Sequence, residues 1–318
     1  FRRVLFRSQA PEDLMECFRE LHPGHSPLID DPYFSEPGPY MPGDMGEWFL
    51  YKQLKDSDVI TDDPAEASLF VVNTMPVLSL IVDECNGWTH DDRQLWWSAQ
   101  LATSPWMERN NGTDHAFICQ SWACMPQDYN FREEKWLGKR MRSAVLGILR
   151  PYVKKMTYWI HEDFPEWTLR PMGDRIAIVP YVAHSDLVTS NITKFHLRAS
   201  RKYRYLFIGS MNRGQWKGER WRAPLRTLAH PGFRVVSSGV EMKDANTDVF
   251  RSYAEEVRNA VFCLVVAGDT PSSRRLFDSI LGGCIPVFIG PKYTLPFESQ
   301  IDWQSFTMRL NATNWLAG

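Results

Sequence analysis

Short apolar runs alternate along this chain with amphipathic segments of helical period. The strand-like runs are Leu69–Val72, Ala116–Cys119, Ile176–Pro180, Tyr205–Ile208, Phe233–Val236, Val261–Val266 and Ile285–Ile289. Helical periodicity marks Gly46–Lys55, Asp91–Ala102, Lys139–Pro151 and Asp248–Asn259. Strands that alternate with helices predict an α/β protein with parallel sheets. A polar stretch, Ser185–Lys202, separates two groups of strands and is the predicted linker. It divides the chain into an N-terminal domain, residues 1–190, and a C-terminal domain, residues 201–318. A chain of 318 residues has room for two such cores.

The segment Phe262–Gly290, FCLVVAGDTPSSRRLFDSILGGCIPVFIG, carries the most chemistry. A buried strand leads into the loop Ala267-Gly268-Asp269-Thr270-Pro271, with Thr270 placed to cap a helix and Pro271 at its first position. The predicted helix carries Ser272, Ser273, Arg274, Arg275 and Asp278, and Gly282-Gly283 stops it before a second buried strand. This is a βαβ crossover, whose helix N-terminus suits an anion. Leu276, Phe277, Ile280 and Leu281 share the face that packs on the sheet, leaving Arg275, Asp278 and Gly282 on the opposite stripe. An arginine and hydroxyls suit a diphosphate, and a carboxylate one turn on suits ribose. On pattern alone, an amphipathic helix with solvated Arg and Asp fits equally.

The same residues resemble the signature of the exostosin-like glycosyltransferases, glycosyltransferase family 47. Phe262-Cys263-Leu264, Gly268-Asp269, Pro271-Ser272-Ser273, Arg275-Leu276-Phe277-Asp278 and Gly283-Cys284-Ile285-Pro286-Val287 follow its pattern in order. Leu295-Pro296-Phe297 and Ile301-Asp302-Trp303 continue it. Three further blocks are similar to the family's: Glu47 through Val72, with an Asp63-Pro64 turn; Trp106 to Phe117, with Asp114-His115; and Arg204 to Gly209, with Arg222 and Leu225 downstream. Residues 120–200 match only weakly. The chain departs from the pattern at Val266-Ala267, where the family has Pro and a basic or small polar residue. It departs again at Gly290-Pro291, where Ser-Asp is common.

The resemblance implies a GT-B fold, two Rossmann-like domains facing across a cleft, with an acceptor-side N-terminal domain and a donor domain that is truncated at its C-terminus. It implies an inverting, metal-independent transfer of a sugar from a UDP-sugar to a polysaccharide or glycoprotein glycan, with no cofactor. Donor binding then falls to Gly209, Arg222, Ser272, Ser273, Arg275 and Asp278. The acceptor hydroxyl needs a base, for which Asp114 and His115 are the candidates because histidine titrates near neutrality. Glu47 and His184 are alternatives.

Two rival readings are open. Asp56-Ser57-Asp58 could be the Asp-x-Asp motif of a metal-dependent GT-A transferase, although it lies at a helix end rather than after a buried strand. Alternatively, the chain is an inactive partner subunit of a paralogous transferase or a glycan-binding protein. His161-Glu162-Asp163 and His184-Ser185-Asp186 lack a spaced third metal partner and read as surface loops.

Net charge of −2, with both signs mixed along the chain, excludes a nucleic-acid scaffold. Most of the 13 Trp read as core or interface residues. No run approaches the length of a membrane span, and no signal peptide is recognisable. The first eight residues, FRRVLFRS, match nothing in the family. A longer type II membrane protein of the Golgi lumen, with its anchor outside this chain, is therefore the expectation that the resemblance carries, with homo- or hetero-oligomers among its forms. Three sequons, at Asn111, Asn191 and Asn311, incline toward the secretory pathway, although Asn111 lies within a block resembling an active-site motif. Six cysteines permit disulfides there, whereas Cys263 and Cys284, at the starts of two buried strands, read as free buried thiols.

Overall fold

The structure, a computed structural model, describes residues 11–21, 46–120, 148–161, 175–183, 187, 201–209, 211, 219–228, 231–237, 248–268 and 271–317. Described residues up to Val179 form one compact unit and those from Pro180 onward a second. Most of the polar stretch Ser185–Lys202 lies outside the described residues.

The first unit holds a parallel sheet in the order β1-β2-β3-β4, with β1 Phe70–Val72, β2 His115–Ile118, β3 Thr157–Ile160 and β4 Ile176–Ile178. Alternation of side chains across each strand covers both faces. Val72, Phe117, Tyr158 and Ile160 pack on one side with Val77, Leu101 and Val153. Val71, Ala116, Ile118 and Trp159 face the other, against Leu50 and Leu54 of helix α2, Gly46–Lys55. Helix α1, Pro11–Leu21, packs on α3, Pro76–Val82, and Cys17–Cys85 staples this layer. The Asp63-Pro64 turn forms as its sequence predicts, with the Asp63 side chain accepting from the Ala65 N–H at 2.8 Å.

Helix α4, His90–Thr103, starts at a capping box between Thr89 and Asp92. One turn in, Gln94 Oε1 accepts from the backbone N–H groups of Ile148 and Leu149. Its Nε2 is thereby turned toward His90 Nε2. That leaves the imidazole proton on Nδ1, 2.9 Å from Ser79 Oγ. His90 is thus held neutral, its pKa pushed down to about 4 by burial and by the nearby Arg93 charge. Short helices α5, Pro105–Arg109, and α6, Arg150–Val153, complete this unit. Most of the predicted helix Lys139–Pro151 lies outside the described residues.

The second unit carries a parallel sheet in the order β6-β5-β7-β8-β9. Its strands are β5 Tyr203–Gly209, β6 Phe233–Ser237, β7 Ala260–Val266, β8 Ile285–Ile289 and β9 Met308–Arg309. Renumbered within the unit this is 2-1-3-4-5, a doubly wound order whose switch point lies between β5 and β7. Tyr205, Phe207, Leu264, Val266 and Val287 line one face with Trp221 and Leu225, from helix α7, Glu219–Arg222, and the 3₁₀ turn after it. Helices α8, Asp248–Arg258, and α9, Arg275–Leu281, cover the opposite face. Leu295 and Trp303, from the family's downstream elements, pack beneath α9, and Trp303 Nε1 donates to the Pro296 carbonyl at 2.9 Å. Helix α10, Ala312–Ala317, ends the described chain.

Two expectations are corrected here. Cys263 and Cys284 are not free thiols but a disulfide, with Cα atoms 5.8 Å apart. Pairing of β7 with β8 sets Cys263 beside Pro286, two residues from Cys284, a neighbourhood that strand positions alone do not reveal. Cys119 is also disulfide-bonded. Helix α9 starts at Arg275 rather than at Pro271, and its Arg274 N-cap makes no side-chain cap. The Ser273 hydroxyl accepts from the Arg275 N–H at 3.3 Å, a local bond that competes with helix propagation. Gly282-Gly283 do end the helix. Gly283 takes φ 66°, and the N–H groups of Gly283 and Cys284 return to the Ile280 and Ser279 carbonyls in a Schellman motif.

Two outcomes follow for stability. Replacing both Cys263 and Cys284 by Ala should lower the unfolding free energy by about 3 kcal/mol in urea denaturation, because the bridge closes a 21-residue separation. For pH the sign comes from His90. Its folded pKa lies below the unfolded value of 6.5, so the unfolded chain binds the proton first. The stabilisation is complete above about 6.5 and is lost as pH falls toward 4, by on the order of 2–3 kcal/mol. His90→Gln should flatten that decline in denaturant titrations taken across the window.

Candidate functional site

Strands β5 and β7 end side by side at the switch point, where open α/β sheets bind their ligands. Arg222, on the helix that follows β5, donates from Nε to the Ala267 carbonyl at the end of β7, at 3.3 Å. Arg275, on the helix that follows β7, donates from Nε to the Ile208 carbonyl at the end of β5. Each arginine thus holds the end of the other strand. The two reach this edge from helices on opposite faces of the sheet, and both guanidiniums lie over the Phe207 ring, at 5.8 and 5.4 Å. At both strand ends a flexible guanidinium fills the space that a Cβ would take. A Cβ on Gly209 would run into the Arg275 guanidinium, and one on Gly268 into that of Arg222.

Gly209, Arg222, Ser273 and Arg275 therefore come together. The Ser273 hydroxyl meets Arg275 Nη1 at 3.0 Å. Ser272 is turned aside to the Tyr181 hydroxyl at 3.0 Å. Asp278 points inward and is 1% exposed; Tyr253 donates to its carboxylate at 2.7 Å, and Arg274 lies 3.3 Å from the same oxygen. The expected solvent stripe on α9 is thereby corrected. Gly282 packs against Val257 and Leu187, so that side of the helix is covered by α8 rather than open. Phe207, Tyr181 and Tyr253 are not legible as site residues in the sequence, since their partners are distant along the chain. The two departures from the family pattern meet at one point. Ala267 N donates to the Ile289 carbonyl at 2.9 Å, and Gly290, at φ 141°, leaves room for the Ala267 methyl, which a Cβ there would approach to 2.6 Å.

In the first unit, Asp114 and His115 stand at the amino-terminal end of β2. Asp114 accepts from Arg109 at 2.9 Å, Asn110 at 2.6 Å and His115 Nδ1 at 2.8 Å. Burial, which raises its pKa, is outweighed by these three bonds, which hold the carboxyl below its usual value. Burial pushes the His115 pKa down, against the pull of Asp114. His115 stacks on Phe70 at 4.8 Å, and Arg109 lies over Phe70 and Trp106. The pair thus ties α5 and β2 to β1.

Other polar groups gather at the carboxyl ends of the same strands. Glu47, 1% exposed, accepts from the Val77 and Gln120 backbone N–H groups. Gln120 in turn donates to the Trp159 carbonyl at 3.2 Å. His161, one residue past β3, is 7% exposed rather than on a surface loop. Asp56 and Asp58 lie in the exposed turn after α2, where Asp56 pairs with Lys52 at 3.9 Å. His184, Glu162, Asp163 and Asp186 fall outside the described residues. Among the described residues no group of three or more His, Cys, Asp or Glu side chains could hold a metal ion.

Two parallel α/β units, the second with a doubly wound order and a basic switch point, define a two-domain protein of Rossmann-like kind. A profile of the Exostosin GT47 domain matches residues 29–317, and the chain belongs to that family. It is similar to a "Probable arabinosyltransferase" of Arabidopsis thaliana, 27% identical over 286 residues, covering 84% of this chain and 56% of the relative. A "Probable glucuronoxylan glucuronosyltransferase" of the same plant is 28% identical over 269 residues, 81% of this chain and 53% of the relative. A "Probable beta-1,4-xylosyltransferase", also from Arabidopsis thaliana, is 26% identical over 268 residues, 81% of this chain and 59% of the relative. The chain thus spans between half and two thirds of these relatives' lengths.

The clasp can be disturbed without removing an arginine. Gly209→Ala and Gly268→Ala should each push the flexible end of a guanidinium off its strand end. The expected result is a small change in melting temperature together with weaker binding of inorganic pyrophosphate, both read in one thermal-shift titration.

Proposed function

We propose that this chain is the catalytic portion of an inverting, metal-independent glycosyltransferase with a GT-B arrangement. It moves a sugar from a UDP-sugar to a polysaccharide or glycoprotein glycan. The reading is supported chiefly by the crossed arginines at the second unit's switch point. In an inverting transfer the acceptor oxygen attacks the anomeric carbon, the carbon–oxygen bond to the diphosphate breaks, and UDP leaves with the electron pair. Fixed positive groups lower the barrier where that charge develops. Arg222 and Arg275 serve this role, Ser273 adds a hydroxyl, and Gly209 and Gly268 allow close approach of the diphosphate. Ser272 and Asp278 hold the surrounding loop and helix through Tyr181, Tyr253 and Arg274.

The acceptor proton requires a base from the first unit. Open parallel sheets act at their carboxyl ends, so the base is placed at His161 rather than at Asp114-His115, which sit at the amino-terminal end. Names of the plant relatives favour a pentose or hexuronic acid as the transferred sugar. Among the described residues no helix is long and apolar enough to cross a membrane. The disulfides agree with residence in the Golgi lumen.

The test is calorimetry with UDP, followed by UDP release from a panel of UDP-arabinose, UDP-xylose, UDP-glucuronic acid and UDP-galactose. Arg275→Ala and Arg222→Ala should each weaken UDP binding by at least about tenfold, and turnover should survive EDTA. His161→Gln should lower kcat by about 10²–10⁴ with UDP affinity intact, whereas His115→Gln should not. A folded chain without UDP affinity would instead indicate a partner subunit, and loss of turnover in EDTA a metal-dependent transferase.

A further inference from the structure

We propose that Asn111 is an N-glycosylation site, its side-chain amide carrying an oligosaccharide delivered from a lipid pyrophosphate. The Asn111-Gly112-Thr113 sequon forms the turn between α5 and β2, with Asn111 and Thr113 exposed. Asn111 takes φ 52° and Gly112 φ 75° in this turn. Its position inside the Trp106–Phe117 block argues against this asparagine, since a glycan there would obstruct an active-site motif. Its place in the fold removes the objection. The turn feeds the amino-terminal end of β2, the edge of the sheet opposite to Glu47, Gln120 and His161.

The side chain is also chemically prepared. Its Oδ1 accepts from Lys155 Nζ at 2.7 Å, while among the described residues its Nδ2 makes no hydrogen bond. Glycosylation uses only Nδ2. The nitrogen bonds to the anomeric carbon of the donor oligosaccharide and loses a proton. The bond from that carbon to the pyrophosphate oxygen breaks, and the lipid pyrophosphate leaves with the electron pair. The carbonyl keeps its lone pairs, so the Lys155 contact survives modification. The Cys17–Cys85 and Cys263–Cys284 bridges place folding in the oxidising compartment where this transfer occurs.

The sequon at Asn311 is less suitable. Asn311 caps α10, its Oδ1 accepting from the Thr313 and Asn314 N–H groups, and follows β9 on the carboxyl edge of the second sheet. Asn191 lies outside the described residues. Removal of the objection to Asn111 rests on the proposed placement of the base at the carboxyl ends of the strands, which the His161 and His115 variants test separately.

The experiment is to secrete the full chain from eukaryotic cells behind a cleavable leader. The glycans are removed with peptide N-glycosidase in heavy-oxygen water, and the peptides are mapped by mass. The peptide containing Asn111 should carry heavy-oxygen aspartate at that position. Asn111→Gln and Thr113→Ala should each lose one glycosidase-sensitive step in gel mobility, whereas Thr113→Ser should keep it. Because glutamine is less at ease than asparagine at a positive φ, Thr113→Ala gives the same reading without altering Asn111. A wholly unmodified Asn111 in secreted, disulfide-bonded protein would overturn the proposal.

Discussion

The second unit is organised around an exchange of partners between two arginines. Arg222 leaves the helix after β5 to bind the end of β7, and Arg275 leaves the helix after β7 to bind the end of β5. Such crossing is available only where a doubly wound sheet reverses direction, because there the two following helices lie on opposite faces. Once the guanidiniums are crossed over Phe207, much else is constrained. A Cβ at either strand end would displace a guanidinium, and the Ser273 hydroxyl lies 3.0 Å from Arg275 Nη1. The bonds to strand carbonyls fix the direction of each positive charge in advance, as the proposed stabilisation of a leaving diphosphate requires.

Much of this fold is legible in the sequence because its strands are unbroken apolar runs. Ile285–Ile289 reads as a strand and is one over the same five residues. Gly46–Lys55 reads as a helix with the bounds it adopts. Thr157–Ile160 escapes such reading, since two aromatics beside a threonine give no clear period over four residues, and β9 has only two. The first turn of α9 is misplaced by its sequence because a serine hydroxyl outcompetes the helix there. Asp278 reads as outward-facing because a helical wheel assumes one covered side, whereas α9 is covered on two. The Cys263–Cys284 pair becomes visible only once the β7–β8 register is known.

The candidate site is legible in its residue types but not in its geometry. Gly209, Arg222, Ser273 and Arg275 follow from motifs and do converge. Asp114 and His115 illustrate the limit. Their block is distinctive, and an Asp-His pair beside a strand invites a catalytic role. Only topology shows that they sit at the strand's beginning, bound up with Arg109, Asn110 and Phe70. Strand direction, on which the proposed choice of base rests, is not reported by a local motif.

The crossed arginines also bear on the order of events during folding. Their two bonds span 45 and 67 residues of chain, and neither can close until β5 and β7 have paired. Contacts of such separation come late, after loop-closure entropy has been overcome. A nascent or partly folded chain can hold every strand of the second unit and still lack the crossed pair. Under the proposed reading a nucleotide would bind the completed fold alone, and by mass action would favour it over partly folded forms.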